Sequence, residues 1–284
     1  MLEFYVLLNH LFMSLDPVTY QAIADSEFLR TEFAVSETRT TIRNDYPDGY
    51  TGVYFYGDET YFEFFDAGNS AFPLASFGIA SGFEAQEHFD TAKEALDARG
   101  GGVVYPVDRQ LEGEPVPWFT GLFGSTETGY GGPSVWGMQY DDKFIAKWLG
   151  HSSELDGSIR QSDFLHSYAI KLGQTNNRES ALMKDLTFVD AVLESEYLSA
   201  YSEQFAAMGW KAEKEGACDL LEAGNAKVRL CPTTTERGAG IYELGFSLHR
   251  EYEGPTEMEF GSSSLVFDGK HATWIFAYPS TQMD

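Results

Sequence analysis

Residues 50–66 read YTGVYFYGDETYFEFFD, two runs of aromatic and β-branched side chains on either side of Gly57-Asp58. That is the pattern of a β-hairpin. With the turn closed at Asp58-Glu59, Tyr54 faces Glu63 and Tyr56 faces Tyr61 on one side of the sheet, and a one-residue slip would break the first pairing. Upstream, residues 36–43 (SETRTTIR) alternate and are β-branched, which predicts another strand. Residues 4–16 are aromatic and aliphatic and form a strand of their own. Between these two, Asp16-Pro17 supplies a cap and a first turn, and Tyr20, Ile23, Ala24 and Phe28 keep helical spacing to about Phe33. The order is β-α-β-β-β.

The same order follows once more. Residues 74–83 are an apolar strand, and residues 84–99 are a helix stopped by Gly100-Gly101-Gly102. Residues 103–108, 116–124 and 134–140 are strands. An internal repeat is a stronger fold signal than any single element. Residues 141–183 hold Phe144, Ile145, Trp148, Leu149, Phe164, Leu165, Tyr168 and Ala169 among Gly, Ser and Asn, and read as a helical connector. A third unit follows: strand 186–193, helix 195–208, and strands 211–221 and 226–231. Strands 240–250, 257–267 and 272–277 come after it with no helix among them, so the last module is shortened. The expected fold is α+β, with tandem βαβββ modules in two domains, 1–140 and 184–284, joined by the connector 141–183.

The chain carries 44 acidic and 19 basic residues, a net charge of -25. Such a surface repels phosphate backbones and anionic lipids, so neither nucleic acid nor membrane is an expected partner. The acids are dispersed, which fits solubility better than a site for a cationic ligand. The opening MLEFYVLLNHLFMSLD lacks a basic start and a small-residue cleavage site and is too short to span a bilayer. A cytoplasmic protein with a small-molecule partner is the expectation, with a homodimer open as the assembly. Counting from a two-residue loop at Gly224-Asn225, Cys218 falls opposite Cys231 at a non-hydrogen-bonded site, where a disulfide fits; in a cytoplasm two reduced thiols are expected.

The stretches LNHLFMSLD (8–16), ETRTT (37–41), TGVYFYGDETYFEFF (51–65), SVWGMQYDDKF (134–144) and MEFGSSSLVFDGKHATWIF (258–276) resemble uncharacterised glyoxalase-like proteins of the vicinal oxygen chelate superfamily. The resemblance implies two βαβββ modules cupped around a small-molecule site, with metal ligands from the first and last strand of each module. Carried over by position, these are His10 and Glu63 in the first module, and Gly78 and Gln139 in the second. Gly78 departs from the pattern, since it offers no ligand.

An imidazole, a carboxylate and an amide oxygen on neighbouring strands suit a divalent ion, and iron, manganese, zinc and nickel all fit that ligand type. Such an ion holds a bidentate oxygen substrate and stabilises an enolate. Without metal, His10 and Glu63 make a general acid–base pair. A core histidine, and a glutamate paired with a tyrosine, are the structural alternatives. Tyr54, Tyr61 and Glu63 form either a pocket wall or an ordinary core face. Arg39, mid-strand, either grips a substrate carboxylate or pairs with Glu37 or Glu63. His88, His151 and His166 have no ligand partner at metal spacing, and His249 and His271 lie near strand ends. Residues 124–132 lack the lysine of a phosphate loop and read as a mobile lid. The competing functions are a vicinal-oxygen-chelate enzyme (lyase, isomerase, hydrolase or oxygenase), a metal-free binding protein that sequesters a small molecule, and a structural role centred on the C-terminal half.

Overall fold

The computed structural model describes residues 5–124, 133–150, 160–173 and 180–278. The first module is β1 (Leu7–Leu15), α1 (Pro17–Asp25), β2 (Val35–Arg43), β3 (Tyr46–Tyr56) and β4 (Tyr61–Asp66). The second is β5 (Phe77–Gly82), α2 (Gln86–Asp97), β6 (Val103–Leu111), β7 (Glu114–Phe123) and β8 (Ser134–Tyr140). Their strands close into one barrel, in the order β1-β4-β3-β2-β6-β7-β8-β5. In each module the first strand runs parallel to the last, and the modules meet along the antiparallel β1–β5 pair. On the far side β2 meets β6 at Arg43 and Arg109.

Local chemistry sets these elements. The Asp16 carboxylate accepts from the backbone N–H of Val18 and Thr19, each at 3.0 Å, with Pro17 in the first turn. The helix ends at Asp25, earlier than its apolar spacing predicts, and a π-helical turn at Leu29–Phe33 leads into β2. The hairpin takes the expected register, with Tyr54 opposite Glu63 and Tyr56 opposite Tyr61. Its turn closes by Gly57 N–H donating to Thr60 O at 2.8 Å.

Two connector helices follow, α3 (Asp142–Leu149) and α4 (Gln161–Lys171). The last part holds β9 (Met183–Leu193), α5 (Ser195–Ala207), β10 (Lys211–Glu215), β11 (Cys218–Glu222), β12 (Lys227–Pro232), β13 (Gly240–Leu248), β14 (Glu257–Phe260), β15 (Ser263–Asp268) and β16 (His271–Phe276). They form one sheet ordered β10-β11-β12-β9-β13-β16-β15-β14. Residues 211–221 and 257–267, expected as single strands, each split at a glycine in the left-handed region, Gly216 (φ 64°) and Gly261 (φ 62°). Each module therefore has its full set of strands, and only the helix of the last is missing.

The outer face of the barrel packs on this sheet. Phe33, Phe55, Phe62 and Phe64 surround Trp274, which is fully buried. The barrel interior holds a second apolar cluster, in which Tyr54, Tyr56, Tyr61, Trp118 and Trp136 meet Phe144, Trp148, Phe164 and Tyr168 of α3 and α4. The connector is thus part of the interior packing of the barrel. Cys218 and Cys231 form a disulfide with Cα atoms 4.3 Å apart, in place of the expected free thiols. Among the described residues no helix is long and apolar enough to cross a membrane. Residues 125–132, which carry most of the expected lid, and His151 lie outside the described residues.

Candidate functional site

Alternation along the strands sends one set of side chains into the barrel. His10 and Phe12 come from β1, Tyr61, Glu63 and Phe65 from β4, and Trp136 and Met138 from β8. With Tyr50, Phe72, Trp118, Phe119 and the Arg43–Asp45 pair they line a cavity of about 370 Å³. The wall is aromatic with a few polar tips, the composition of a small-molecule site. The indole N–H of Trp118 is buried and has no hydrogen-bond partner among the described residues.

His10 Nε2 lies 3.8 Å from Glu63 Oε1, and both residues are buried. The imidazole stacks on Tyr61 with ring centres 4.4 Å apart and meets the Trp136 ring edge-on at 5.3 Å. Burial, reinforced by Arg43 and Arg39, pushes its pKa down to about 3, so the ring is neutral at physiological pH. Burial lifts the Glu63 carboxyl to about 7; Arg39, Arg43 and Arg109 and a hydrogen bond with Tyr54 act in the opposite direction. Glu63 therefore exchanges its proton near neutrality, while His10 does not.

Arg39 is engaged within the protein. Its guanidinium donates to Glu37 at 2.7 Å, Tyr56 at 2.9 Å, Tyr168 at 3.1 Å and Thr41 at 3.0 Å, and lies over the Tyr54 ring at 3.9 Å. Arg39 thus pairs with Glu37 inside the protein. Tyr54 is fully buried beside Glu63 and modulates its carboxyl from inside the core.

Gln139 is not with His10 and Glu63. Trp136 and Met138 of the same strand line the interior, so Gln139, one residue out of phase, lines a separate cavity with Asn9, Glu84, Asp141 and Gln161. Strand pairing gives the reason. His10 pairs with Tyr61, two residues before Glu63; Gly78 pairs with Ser134, two residues before Trp136. The counterpart of Glu63 is Trp136. The space at Gly78 is filled as well, because a Cβ there would overlap the rings of Phe12 and Trp136.

The donor set does not fit a divalent ion. No group of three or more His, Cys, Asp or Glu side chains converges among the described residues. The guanidinium groups of Arg39, Arg43 and Arg109 act on the one carboxylate of the pair, a field that opposes a cation. His88 and His166 lie on helices, His166 exposed, and His249 sits 3.8 Å from Asp58, away from the cavity.

Two residues escaped the sequence reading. Arg109 is buried, donates to Tyr168 at 2.9 Å and lies against Trp118, Phe144 and Trp148. The strand that carries it runs to Leu111, past its expected end at residue 108, so the sequence leaves Arg109 outside any element. Gln161, buried at the start of α4, contacts Asn9 and the backbone of β1, and no local pattern marks it.

The model of a family of unknown function (DUF5829) matches residues 8–276. No curated protein matches the chain. Among solved structures, a hypothetical protein from Staphylococcus aureus is similar at 12% identity, over 81% of this chain and 86% of that one, with a TM-score of 0.44. The 2,2',3-trihydroxybiphenyl 1,2-dioxygenase of Sphingomonas wittichii strain RW1 is similar at 9% identity, over 96% of each chain, with a TM-score of 0.45. Likenesses of this degree transfer no chemistry, and the site stands on its own geometry.

Proposed function

The chain belongs to the DUF5829 family, and we propose that its barrel interior is the active site of a small-molecule enzyme of the vicinal oxygen chelate type that moves protons through Glu63, with the neutral His10 beside it as a hydrogen-bond acceptor and without a resident metal. One observation carries this reading. A buried carboxyl poised at about 7 sits 3.8 Å from a neutral imidazole in the wall of a 370 Å³ aromatic cavity. A group titrating near the working pH both takes and returns a proton efficiently, which is worth about 10²–10⁴ in rate. The aromatic wall holds the apolar body of the substrate and keeps bulk water from the pair.

A second reading is sequestration of a ligand without chemistry. Phe12 and Trp136 favour it, since they occupy the part of the second module where ligands to a metal were expected.

The two readings separate in heavy water. Small oxygen-bearing acids and ketones that quench Trp118 or Trp136 are incubated with the protein, and deuterium uptake into carbon is followed by NMR. Uptake that falls by about 100-fold or more in Glu63→Gln supports the enzyme. Quenching without uptake supports sequestration. Uptake unchanged in Glu63→Gln contradicts the proposed role of the pair.

A further inference from the structure

We infer that the barrel interior selects molecules that present an O–H or N–H donor to His10 Nε2, and that Gln161, reaching in from the connector helix through Asn9, imposes this selectivity. The inference rests on the cavity being a small-molecule site, as proposed above, and defines the kind of molecule it takes.

Three backbone carbonyls fix the Gln161 amide. One end of the Gln161 side-chain amide lies 2.8 Å from Asn9 O, 2.5 Å from Glu59 O and 3.5 Å from Leu8 O. Carbonyl oxygens only accept, so that end is the NH2 group. Its other end, Oε1, then faces the Asn9 side chain and accepts from Asn9 Nδ2 at 2.5 Å. This turns Asn9 Oδ1 toward His10 Nδ1, 2.8 Å away. The Tyr140 hydroxyl, 3.5 Å from the same oxygen, is compatible with this orientation as a donor. An acceptor facing Nδ1 requires the imidazole proton there. In a neutral ring the other nitrogen, Nε2, is then a bare lone pair.

That lone pair is available. Its neighbour on the cavity side, Glu63 Oε1 at 3.8 Å, is beyond hydrogen-bond distance. Stacking on Tyr61 and the edge of Trp136 hold the ring in plane. Gln161 is itself fixed, since its backbone N–H donates to Glu84 at 2.8 Å. A helix that the sequence presents as a linker thus decides which proton the barrel site accepts. A ligand hydroxyl satisfies a buried acceptor, and its methyl ether leaves that acceptor unpaired, a difference of about tenfold in affinity.

The test uses the full chain labelled with ¹⁵N-histidine, and phenol and anisole as probes. Long-range ¹H–¹⁵N NMR at pH 8 reads the tautomer of His10, and tryptophan quenching reads affinity. The expected result is an Nδ1–H imidazole and about tenfold tighter phenol. Gln161→Met, which removes the lock, gives mixed tautomers and a smaller preference. An Nε2–H tautomer in the unmodified protein overturns the inference even if the variants do not fold. Anisole binding as tightly as phenol overturns it while leaving the small-molecule site standing. Failure of both probes to quench overturns the selectivity together with the reading of the cavity on which it rests.

Discussion

Replacing Glu63 by glutamine tests the electrostatics of the site through stability alone. A carboxyl whose pKa rises from 4.5 to about 7 on folding holds its proton more tightly in the native state. Its favourable contribution is full below pH 4.5 and is lost as pH rises through 7, because the unfolded chain then binds fewer protons than the folded one. At about 1.4 kcal/mol per tenfold, the loss is about 3 kcal/mol. His10 works in the other direction. Held neutral with a pKa of about 3, it stabilises the fold above pH 6.5 and withdraws that support as pH falls toward 3. The two slopes oppose each other between pH 4.5 and 6.5, so the wild-type curve alone is uninformative, and the difference between variant and wild type isolates Glu63. Urea denaturation at pH 4.5 and pH 8 is the assay. Glu63→Gln should gain about 3 kcal/mol on the wild type between the two. Parallel curves would refute a carboxyl held protonated by burial.

Trp274→Ala removes the ring that joins the barrel to the second sheet and should cost about 3–5 kcal/mol in denaturant unfolding. Cys218→Ser opens the disulfide and should cost about 3 kcal/mol; mass spectrometry after alkylation of the unreduced, denatured wild type should find no free thiol. Gly78→Ala forces the Phe12 and Trp136 rings into the cavity and should cost about 1–3 kcal/mol, while weakening any ligand that quenches Trp136.

What the sequence made legible follows from local rules. The turn chemistry at 57–60 and strict alternation set the register that brings Tyr54 to Glu63. The repeated βαβββ order placed His10 and Glu63 in one interior. Gln139 does not join the pair because position along the chain does not carry strand register: the parallel pairing of β5 with β8 makes Trp136, not Gln139, the counterpart of Glu63 in the repeat. The breaks in residues 211–221 and 257–267 are not legible because a lone glycine inside a strand pattern is a weak turn signal, although both glycines adopt positive φ. Gln161 was invisible: its contact with Asn9 spans 152 residues, and nothing in its own helix records it.

Proton transfer at Glu63 needs no resident metal, because the donor set around it does not fit one. Elemental analysis of purified, untagged protein, before and after reconstitution with iron, manganese, zinc and nickel, tests it most directly, with His10→Ala alongside. The expected result is no stoichiometric metal in either protein and no dependence of ligand binding on added ions. Near-stoichiometric metal in the wild type that disappears in His10→Ala would contradict it.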